Sequence, residues 1–433
     1  MTQTQTESTA HSGQTLAWWT GTPLYVRIMC GLAVGVCVGL LLKSTPDVLG
    51  IPSEKILLSL GAITGLILKL LGALAPPLIL VAVLDTLIKA RLQGGVARHM
   101  IFLLIINTVV AILIGLLVAN TVQPGRWAHL DVAPGAGNPA LPTGNPWAAL
   151  LDNIPASLFE PLVNNNVIGV ILIGAAFGIA LRRLDSEDRQ IAERMVGVAF
   201  RAIAVVLHWV IELVPIGVFG IIASVVGRSG FAPFRALGAF VLAVVIGLLL
   251  QLVYYLMRIR IGTWVRPVRL MVQMRDAIVM AFSTDSSTAT MPVTYRCLRD
   301  NVGLRDESAR MGALVGTNFN NDGTALYEAM SALFVSQLIG MHLTFVQQLM
   351  VVLTSIVASV GAAGIPEAGL VTMTLVFSAV GLPKEYIGIL LTVDWFLDRC
   401  RTVVNMMGDV NVSCMLDGKA RGQNVDTREP TAI

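Results

Sequence analysis

Residues 393–409 read VDWFLDRCRTVVNMMGD, an apolar stretch that predicts a membrane helix with one polar face. At about 100° per residue, five of its charged and amide side chains fall within an arc of roughly 80°. An ionised group at the bilayer centre costs about 2.5 to 3.5 kcal/mol, so this face must border a wet or protein-lined cavity. Such a face is typical of the binding site of a carrier. Its members are Asp394, Asp398, Arg401, Asn405 and Asp409.

The composition of the whole chain also indicates a membrane protein. Of its 433 residues, 55% are hydrophobic and only 13% are charged, whereas soluble domains carry about 25% charged residues. The formal net charge of +3 does not indicate nucleic-acid binding, because the basic residues lie in short loops between apolar runs. We therefore predict a polytopic membrane protein with a lipid bilayer around it and no nucleic-acid partner.

The apolar runs and the loops between them predict an orientation in the membrane. Lys and Arg crowd several loops, whereas the Gly- and Pro-rich stretch 123–147 holds few. By the positive-inside rule the crowded loops and the N-terminus are cytoplasmic, and we predict a multi-pass protein of a bacterial inner membrane. One crowded loop is predicted to hold Arg258, Arg260, Arg266, Arg269 and Arg275. The long apolar runs lie near residues 24–43, 55–88, 98–121, 166–183, 195–226 and 231–257.

Two later apolar segments are too interrupted to cross the membrane as plain helices. Residues 276–295 contain STDSST at 283–288, and residues 345–376 contain ASVGAAGIPEAG at 358–369. The first segment is predicted to enter from the cytoplasmic side and the second from outside. Paired interrupted segments of opposite orientation indicate an inverted-repeat transporter with its site near the midplane. The alternative is a pair of ordinary kinked spans.

The motif NFNNDGT at residues 318–324 places amides, a carboxylate and a hydroxyl within an apolar run, with Gly323 as a predicted helix breaker. Hard cations prefer such oxygen ligands, so the motif predicts a cation site. A polar contact between membrane helices is the alternative. Glu328 lies one turn beyond Thr324 and is either a proton carrier or a paired carboxylate without a transport role.

Charge assigns roles within the polar face. Arg401 is suited to clamp a carboxylate through parallel hydrogen bonds, and Asp398, about one turn away, is suited to hold an ammonium group. A substrate with an extra carboxylate as well as an amine is an acidic amino acid. Arg399 points away from this face, and we predict that it pairs with Asp285 at the tip of the first interrupted segment.

These stretches, above all residues 393–409 and 358–369, resemble the glutamate transporter family, the dicarboxylate/amino acid:cation symporters. The resemblance to the family covers nearly the whole chain, and the match to the excitatory amino acid carriers is closer than a generic similarity between membrane proteins. The resemblance implies an all-α polytopic membrane protein with eight transmembrane helices, two re-entrant helical hairpins and inverted repeats. It also implies a homotrimer and an elevator-type transporter, in which a transport domain slides against a fixed scaffold.

The function that the resemblance implies is uptake of glutamate or aspartate, by symport with a cation gradient. Sodium ions would be the coupling ions, and no cofactor is implied. Proton-coupled symport of these amino acids or of C4-dicarboxylates is one alternative, and a channel is a more distant one. The resemblance also predicts the domain organisation. Residues 1–20 form a polar tail, and residues 21–270 form mainly scaffold and trimerisation helices, with some transport-domain helices. Residues 271–418 form the transport core, and residues 419–433 form a cytoplasmic tail.

The resemblance assigns substrate contacts residue by residue. Arg401 and Thr324 resemble contacts to the side-chain carboxylate of the substrate, and Asp398 and Thr402 contacts to its amino group. Residues 365–369 resemble the lid of the outer hairpin. The implied substrate-binding residues are Ser287, Thr324, Ile365, Gly369, Asp398, Arg401, Thr402 and Asn405.

The resemblance likewise implies three sodium sites, and it links Glu328 to proton and potassium coupling. The first site comprises Gly316, Asn320, Asn405 and Asp409. The second comprises Asn318 and the backbone of residues 359–363, from Ser359 to Ala363. The third comprises Asn107, Thr108, Asn320 and Asp322.

The sequence departs from the family pattern around these ion sites. Asn318 and Asn107 stand where Thr is common, and Asn321 stands where the family has Met. Asp285 occupies a hairpin-tip position where small polar residues or Arg are usual. The presence of Asp398 nevertheless favours an amino acid over a plain dicarboxylate, and the presence of Arg401 favours an acidic substrate over a neutral one.

Two function classes compete with a carrier. Asp322 and Asp409 lie in separate apolar segments, as the aspartates of an intramembrane protease do, but neither follows the Tyr-Asp or Gly-x-Gly-Asp pattern of such enzymes. We therefore predict that the protein is not an enzyme. Nothing in the sequence resembles the filter ring of a channel, and a paired cation and anion are better suited to selective binding of a solute.

Overall fold

A computed structural model of the chain describes residues 22–45, 47–48, 50–89, 94–128, 155–164, 166–362 and 368–420. The described residues are mostly helical, as the sequence predicts. One short antiparallel pair, Asp47–Val48 with Ile51–Pro52, follows the first helix. The polar N-terminal tail, the stretch 129–154 and the C-terminal tail after residue 420 lie outside the described residues.

The first half of the chain is built from long apolar helices. Among the described residues, five helical stretches are long and apolar enough to cross a membrane: Leu24–Ser44, Ser53–Lys89, Arg98–Trp127, Ser186–Ser229 and Ala232–Gly262. In chain order the helices are α1 Leu24–Ser44, α2 Ser53–Lys89, α3 Gly94–Val122, α4 Glu160–Val163, α5 Val167–Arg182, α6 Ser186–Ile211, α7 Val214–Ser229 and α8 Ala232–Gly262.

The second half of the chain consists of shorter, interrupted helices. Irregular turns connect several of them, including a 3₁₀ turn at Gly316–Asn318. The helices are α9 Pro267–Gln273, α10 Arg275–Thr284, α11 Ser287–Arg296, α12 Asp306–Arg310, α13 Asp322–Leu338, α14 Phe345–Ala362, α15 Ala368–Ala379 and α16 Ile387–Asp417.

One boundary corrects the sequence analysis. Helix α8 continues to Gly262, so Arg258 and Arg260 lie on the helix and not in the loop that follows it. The helix can extend beyond the apolar run, because the long aliphatic stem of an arginine packs along a helix while its charged end contacts polar partners. Arg258 does so beside Tyr254, whose ring centroid lies 5.5 Å from the guanidinium carbon.

The first interrupted segment consists of two helices joined by a tight turn. Helix α10 ends at Thr284, and Asp285 takes a left-handed conformation with φ of 57°, which Asp tolerates better than most residues. Ser286 caps α11 by accepting a hydrogen bond of 3.1 Å from the backbone N–H of Ala289. The predicted break in residues 276–295 is confirmed. In the second segment, α14 and α15 flank residues 363–367, which lie outside the described residues.

The helices pack into two groups. Helices α1, α2, α5, α6 and α7 pack on one another, and α3, α8, α13 and α16 pack on one another with the helices of the interrupted segments. The groups meet where α14 and α15 lie against α2, and where α16 lies against α7 and α1. This arrangement brings the polar face of α16 against the break before α13 and the turn after α10.

Glycines bring α1 and α7 into backbone contact. A Cβ atom added to Gly31 would lie 2.5 Å from the carbonyl oxygen of Pro215, and one added to Gly39 would lie 2.7 Å from that of Ala223. Gly35 lies between them at the same four-residue spacing. Small residues spaced in this way permit the close approach of membrane helices. The two helices run parallel, so their first residues lie at the same end.

Candidate functional site

The break before α13 brings polar backbone and side chains against α16. Phe319, Asn320 and Asn321 are not helical, and α13 begins at Asp322. The sequence analysis placed the break at Gly323, and this was wrong, because Gly323 is the second residue of α13. A Cβ atom there would lie 2.9 Å from the carbonyl oxygen of Arg401, so the glycine is required for close packing.

One oxygen-rich cluster lies between this break and α16. The Asn320 amide donates hydrogen bonds of 2.9 Å to Oδ1 of Asp409 and 2.8 Å to the carbonyl oxygen of Asn405. The Thr317 hydroxyl donates to the other oxygen of Asp409 at 2.5 Å. A Cβ atom on Gly316 would lie 3.6 Å from Oδ1 of Asp409.

Two features of this cluster fit a small cation. Asp409 is 1% exposed, and it forms no ion pair with a described residue. Oδ1 of Asn320 is buried and has no hydrogen-bond partner among the described residues. A buried carboxylate beside an unpartnered amide oxygen is the donor set that hard cations prefer.

A second buried carboxylate, Asp322, lies on the other side of the break. Its Oδ1 accepts a hydrogen bond of 2.6 Å from the Thr108 hydroxyl, and its Oδ2 accepts one from the hydroxyl of Tyr255. The sequence analysis grouped Asn107 with this site. Both polar atoms of its side chain already have hydrogen-bond partners. Its Oδ1 accepts from the guanidinium of Arg258, and its amide donates to Asn411 at 3.3 Å.

Sequence reasoning missed the contribution of α8 to this region. Gln251, Tyr255 and Arg258 follow one another at spacings of four and three residues, so they share one face of an apolar helix. Gln251 donates to the carbonyl oxygen of Asn107 at 3.2 Å, and its Oε1 is buried without a hydrogen-bond partner in the described part of the chain. The same spacing on α16 was recognised, so the signal was present in the sequence.

The centre of the polar face is a fully buried arginine. Nη2 of Arg401 lies 3.0 Å from Oδ1 of Asp394 and 2.6 Å from Oδ1 of Asp398. The guanidinium carbon lies 4.1 Å from the centre of the Tyr327 ring, a cation–π distance. Nε and Nη1 are buried and have no hydrogen-bond partner among the described residues. A Cβ atom on Gly369 would lie 2.6 Å from Nη1, so α15 begins directly beside the guanidinium.

The amide of Asn405 joins this centre to the first cluster. Its Oδ1 accepts a hydrogen bond of 2.8 Å from the backbone N–H of Gly323, and its Nδ2 donates to the Thr324 hydroxyl at 3.4 Å. The Thr402 hydroxyl points to the first hairpin tip and donates to Asp285 at 3.3 Å. Ser287, the first residue of α11, is half-buried.

Asp285 and Arg399 form the ion pair that the sequence predicts, with 3.4 Å between Oδ2 of Asp285 and Nη1 of Arg399. The Arg399 guanidinium also lies over the ring of Tyr25 at 5.4 Å, and this ring stacks on Trp395 at 5.9 Å between centroids. The hairpin tip is therefore linked through α16 to the start of α1.

A cavity of about 340 Å³ opens beside this ion pair. It lies between the starts of α1 and α7 on one side and the hairpin tip and α16 on the other, and it reaches the carboxylates of Asp394 and Asp398. Its lining includes Tyr25, Val214, Ser283, Asp285, Leu370, Asp394, Trp395, Asp398 and Arg399.

Glu328 is fully buried one turn beyond Thr324. Its Oε1 accepts a hydrogen bond from the Thr372 hydroxyl on α15, and its Oε2 has no hydrogen-bond partner in the described ranges. No described basic residue forms an ion pair with it. The carboxyl group thus connects α13 to the helix that follows the second interruption.

The remaining expected site residues lie outside what the structure describes. Ile365 and Ala363 fall within residues 363–367, and the side chains of Asn318 and Ser359 are not described, although the backbone of Asn318 ends the 3₁₀ turn. The second expected sodium site therefore stays a prediction.

Comparison with known proteins identifies the family. A model of the sodium:dicarboxylate symporter family matches residues 24–419. This chain belongs to that family. Its membership confirms the resemblance seen in residues 358–369 and 393–409, and the family is one of symporters, not of intramembrane proteases.

Several relatives of this symporter-family chain are excitatory amino acid transporters. Excitatory amino acid transporter 3 of Oryctolagus cuniculus is 37% identical over 251 residues, which are 56% of this chain and 47% of the relative. A transporter of Caenorhabditis elegans is 38% identical over 264 residues, 60% of this chain and 52% of the relative. Excitatory amino acid transporter 4 of Mus musculus is 36% identical over 252 residues, which are 56% of this chain and 44% of the relative. The chain therefore spans about half the length of these relatives.

Proposed function

We propose that this chain is a secondary active symporter that takes up acidic amino acids, glutamate or aspartate, with a sodium gradient. The observation that carries the proposal is the buried Arg401 guanidinium, two of whose nitrogen atoms have no hydrogen-bond partner among the described residues and whose third nitrogen lies beside two carboxylates of its own helix. The names of the relatives, excitatory amino acid transporters, support the same substrate class.

Binding is an exchange of ion pairs in this proposal. The side-chain carboxylate of the substrate accepts hydrogen bonds from Nε and Nη1 of Arg401, which lack other partners in the described part of the site. The ammonium group of the substrate takes over the carboxylate of Asp398, which reaches the cavity. A buried arginine whose N–H donors have no hydrogen-bond partner costs free energy. The substrate carboxylate therefore removes this desolvation penalty and also adds an electrostatic attraction.

Sodium enters as a co-substrate. The cluster of Asn320 and Asp409 holds a buried carboxylate and an amide oxygen that has no partner in the part of the chain that the structure describes, and Asn405 links this cluster to the substrate region. A cation bound there holds Asn405 and the start of α13 in place, and this coupling makes substrate binding depend on sodium. The reciprocal dependence of sodium binding on substrate follows from linkage.

The packing supports an elevator mechanism with a transport core at residues 271–418. Helices α8, α13 and α16 pack with the interrupted segments, and α1, α2, α5, α6 and α7 pack separately. In this proposal the core moves with α3 and α8 against the group formed by α1, α2, α5, α6 and α7. Eight transmembrane helices, two re-entrant hairpins, a homotrimer and a bacterial inner membrane belong to the same proposal and stay predictions.

Accumulation in liposomes tests the function. Purified protein with an inward sodium gradient should concentrate labelled aspartate or glutamate above the external level, with saturation, and gramicidin should abolish the accumulation. Liposomes with the Arg401→Gln protein are the matched control. Uptake that only equilibrates would support a channel instead. No uptake of either amino acid would contradict the proposed substrate class.

Glu328 favours a second candidate, coupling to protons. A carboxyl group buried without an ion-pair partner is most stable when it carries a proton, and Oε2 of Glu328 has no described partner. An inward proton gradient without sodium should drive accumulation if protons are the coupling ions, and Glu328→Gln should remove that drive. Accumulation that requires sodium at every pH would favour the first candidate.

A further inference from the structure

Arg258, which is half-exposed, places a positive charge against a buried polar cluster where the sequence analysis expected a sodium ion. Its guanidinium donates to Oδ1 of Asn107, and also to the Tyr254 hydroxyl at 3.3 Å. The guanidinium carbon lies 5.5 Å from the centre of the Tyr254 ring. Contacts with the hydroxyl and the ring hold the side chain in one direction, toward α3.

The contact with Asn107 removes an oxygen that a transported cation would need. The Asn107 amide oxygen accepts from Arg258, and the nitrogen donates to Asn411 at 3.3 Å. The backbone oxygen of Asn107 accepts from Gln251 at 3.2 Å. Each polar atom of this residue that would face the cluster is thus already engaged.

The same charge acts on the carboxylate at the centre of the cluster. Thr108, the residue after Asn107, donates to Oδ1 of Asp322 at 2.6 Å, and Tyr255 donates to Oδ2. The Arg258 charge also acts through space on this carboxylate. Two hydroxyl donors and the through-space attraction of the Arg258 guanidinium thus favour the charged form of Asp322 without an ion, although burial opposes it.

The first cluster has no such basic neighbour among the described residues. Neither Asp409 nor Asp322 forms an ion pair with a described arginine or lysine, but the Arg258 charge acts through space on Asp322, and no such effect is found at Asp409. Oδ1 of Asn320, beside Asp409, has no hydrogen-bond partner among the described residues. Of the two buried carboxylates at the break before α13, Asp409 therefore has a free oxygen donor beside it, whereas Asp322 lies in a cluster whose Asn107 already binds a guanidinium.

We propose that the Arg258 guanidinium replaces a transported sodium ion at the Asn107, Thr108 and Asp322 cluster, so that substrate uptake is coupled to one sodium ion fewer. This inference rests on the proposed sodium symport and defines its stoichiometry. Arg258 acts through Asn107 and Asp322 and does not touch the substrate, so it is a positioning residue for ion coupling. Like charges repel at short range, and a sodium ion entering this cluster would have to overcome that repulsion.

The experiment is the sodium dependence of L-aspartate or L-glutamate binding to the purified full chain, measured by calorimetry. The slope of log Kd against log sodium concentration gives the number of sodium ions linked to binding. In Arg258→Gln we expect this slope to steepen by about one, because the emptied position accepts an ion. Arg258→Lys keeps the charge and should retain the slope of the unaltered protein. Arg260→Gln, an exposed position on the same helix, is the matched control and should leave the slope unchanged.

Several outcomes decide the inference. Binding by Arg258→Gln with an unaltered slope would overturn it and leave the proposed function standing. If that variant does not fold, the ratio of ²²Na⁺ to labelled substrate taken up by the unaltered protein decides instead. A ratio of two or fewer supports the replacement, and a ratio of about three, the number expected from three sites, overturns it. Absence of aspartate and glutamate binding by the unaltered protein would overturn the proposed function itself.

Discussion

The guanidinium of Arg401 donates a hydrogen bond of 3.0 Å to Asp394, a carboxylate two helical turns earlier on the same helix. Asp398, one turn away, lies closer still at 2.6 Å. The only fully buried arginine side chain of the described site is thus neutralised by its own helix. In the proposed function, an acidic substrate therefore does not meet an isolated cation, but enters a set of ion pairs in which one partner has to be exchanged.

Replacing this arginine should remove the acidic substrate. In Arg401→Cys, aspartate affinity is expected to fall by about 100-fold or more, because a charge-assisted hydrogen bond to a buried group is worth about 3 kcal/mol. Neutral amino acids such as serine should then compete, since the ammonium site at Asp398 remains. Competition against labelled substrate measures both effects.

The same variant leaves two carboxylates without a cation. The Tm of Arg401→Cys should therefore fall, and adding Asp394→Asn should restore part of the loss because it removes one unpaired charge. The double variant separates a binding defect from a folding defect. Aspartate affinity that stays unchanged in Arg401→Cys would refute the clamp.

The carboxylate of Asp398 should determine whether a substrate needs an amino group to bind tightly. In Asp398→Asn we expect aspartate affinity to fall by about 10- to 100-fold, the worth of one charged hydrogen bond. Succinate has no amine, so its inhibition should change much less. Equal losses for aspartate and succinate would show that Asp398 does not contact the amino group. Inhibition constants for the two compounds on one preparation provide the comparison.

The effects of substitutions at Asp285 and Arg399 on uptake should be coupled. Both side chains are partly exposed, at 24% and 20%, so the interaction is expected to be worth about 0.5 to 1 kcal/mol, or roughly two- to fivefold in rate. Asp285→Arg and Arg399→Asp should each lower uptake, and the double variant with exchanged charges should recover part of it. If the losses simply multiply in the double variant, the pair has no role in transport.

A side chain larger than hydrogen at position 369, the second residue of α15, should weaken substrate binding by Arg401. Gly369→Ala would place a methyl group 2.6 Å from Nη1 of Arg401, and the buried guanidinium is fixed by its two carboxylates and cannot withdraw. We expect substrate affinity to fall by about tenfold, corresponding to about 1.4 kcal/mol of strain or displaced contact. Gly238→Ala is the matched control, because nothing lies within 4 Å of its added Cβ. Similar affinities of the two variants would contradict the contact.

The sequence predicted the parts of the site that depend on local pattern. The polar face of α16 follows from helical spacing, and the break at residues 283–287 follows from a run of Ser, Thr and Asp that a membrane helix rarely contains. The pair of Asp285 and Arg399 could be predicted because two unmatched charges at similar depth have to find partners. Such inferences need only periodicity and the cost of an unpaired charge.

Other parts of the site depend on long-range packing. The end of the apolar run placed Arg258 in a loop, although its spacing from Gln251 and Tyr255 was a local sign that the helix continues. Its partner, Asn107, lies 151 residues earlier and follows from no local rule. Gly323 was expected to break the helix, yet the chain breaks before it, because the glycine is needed where α13 touches the backbone of Arg401, another segment distant in sequence.

The glycine contact between α1 and α7 has a consequence for the cavity. With backbone against backbone from Gly31 to Gly39, no acyl chain fits between the two helices. Tyr25 and Val214, at the first turns of these helices, therefore line a wall of the cavity that the backbone contact holds together. In the proposed transport cycle, the opening widens when α16 and the hairpin tip withdraw from this wall. A single methyl group at any of the three glycines would push the two helices apart and weaken the wall.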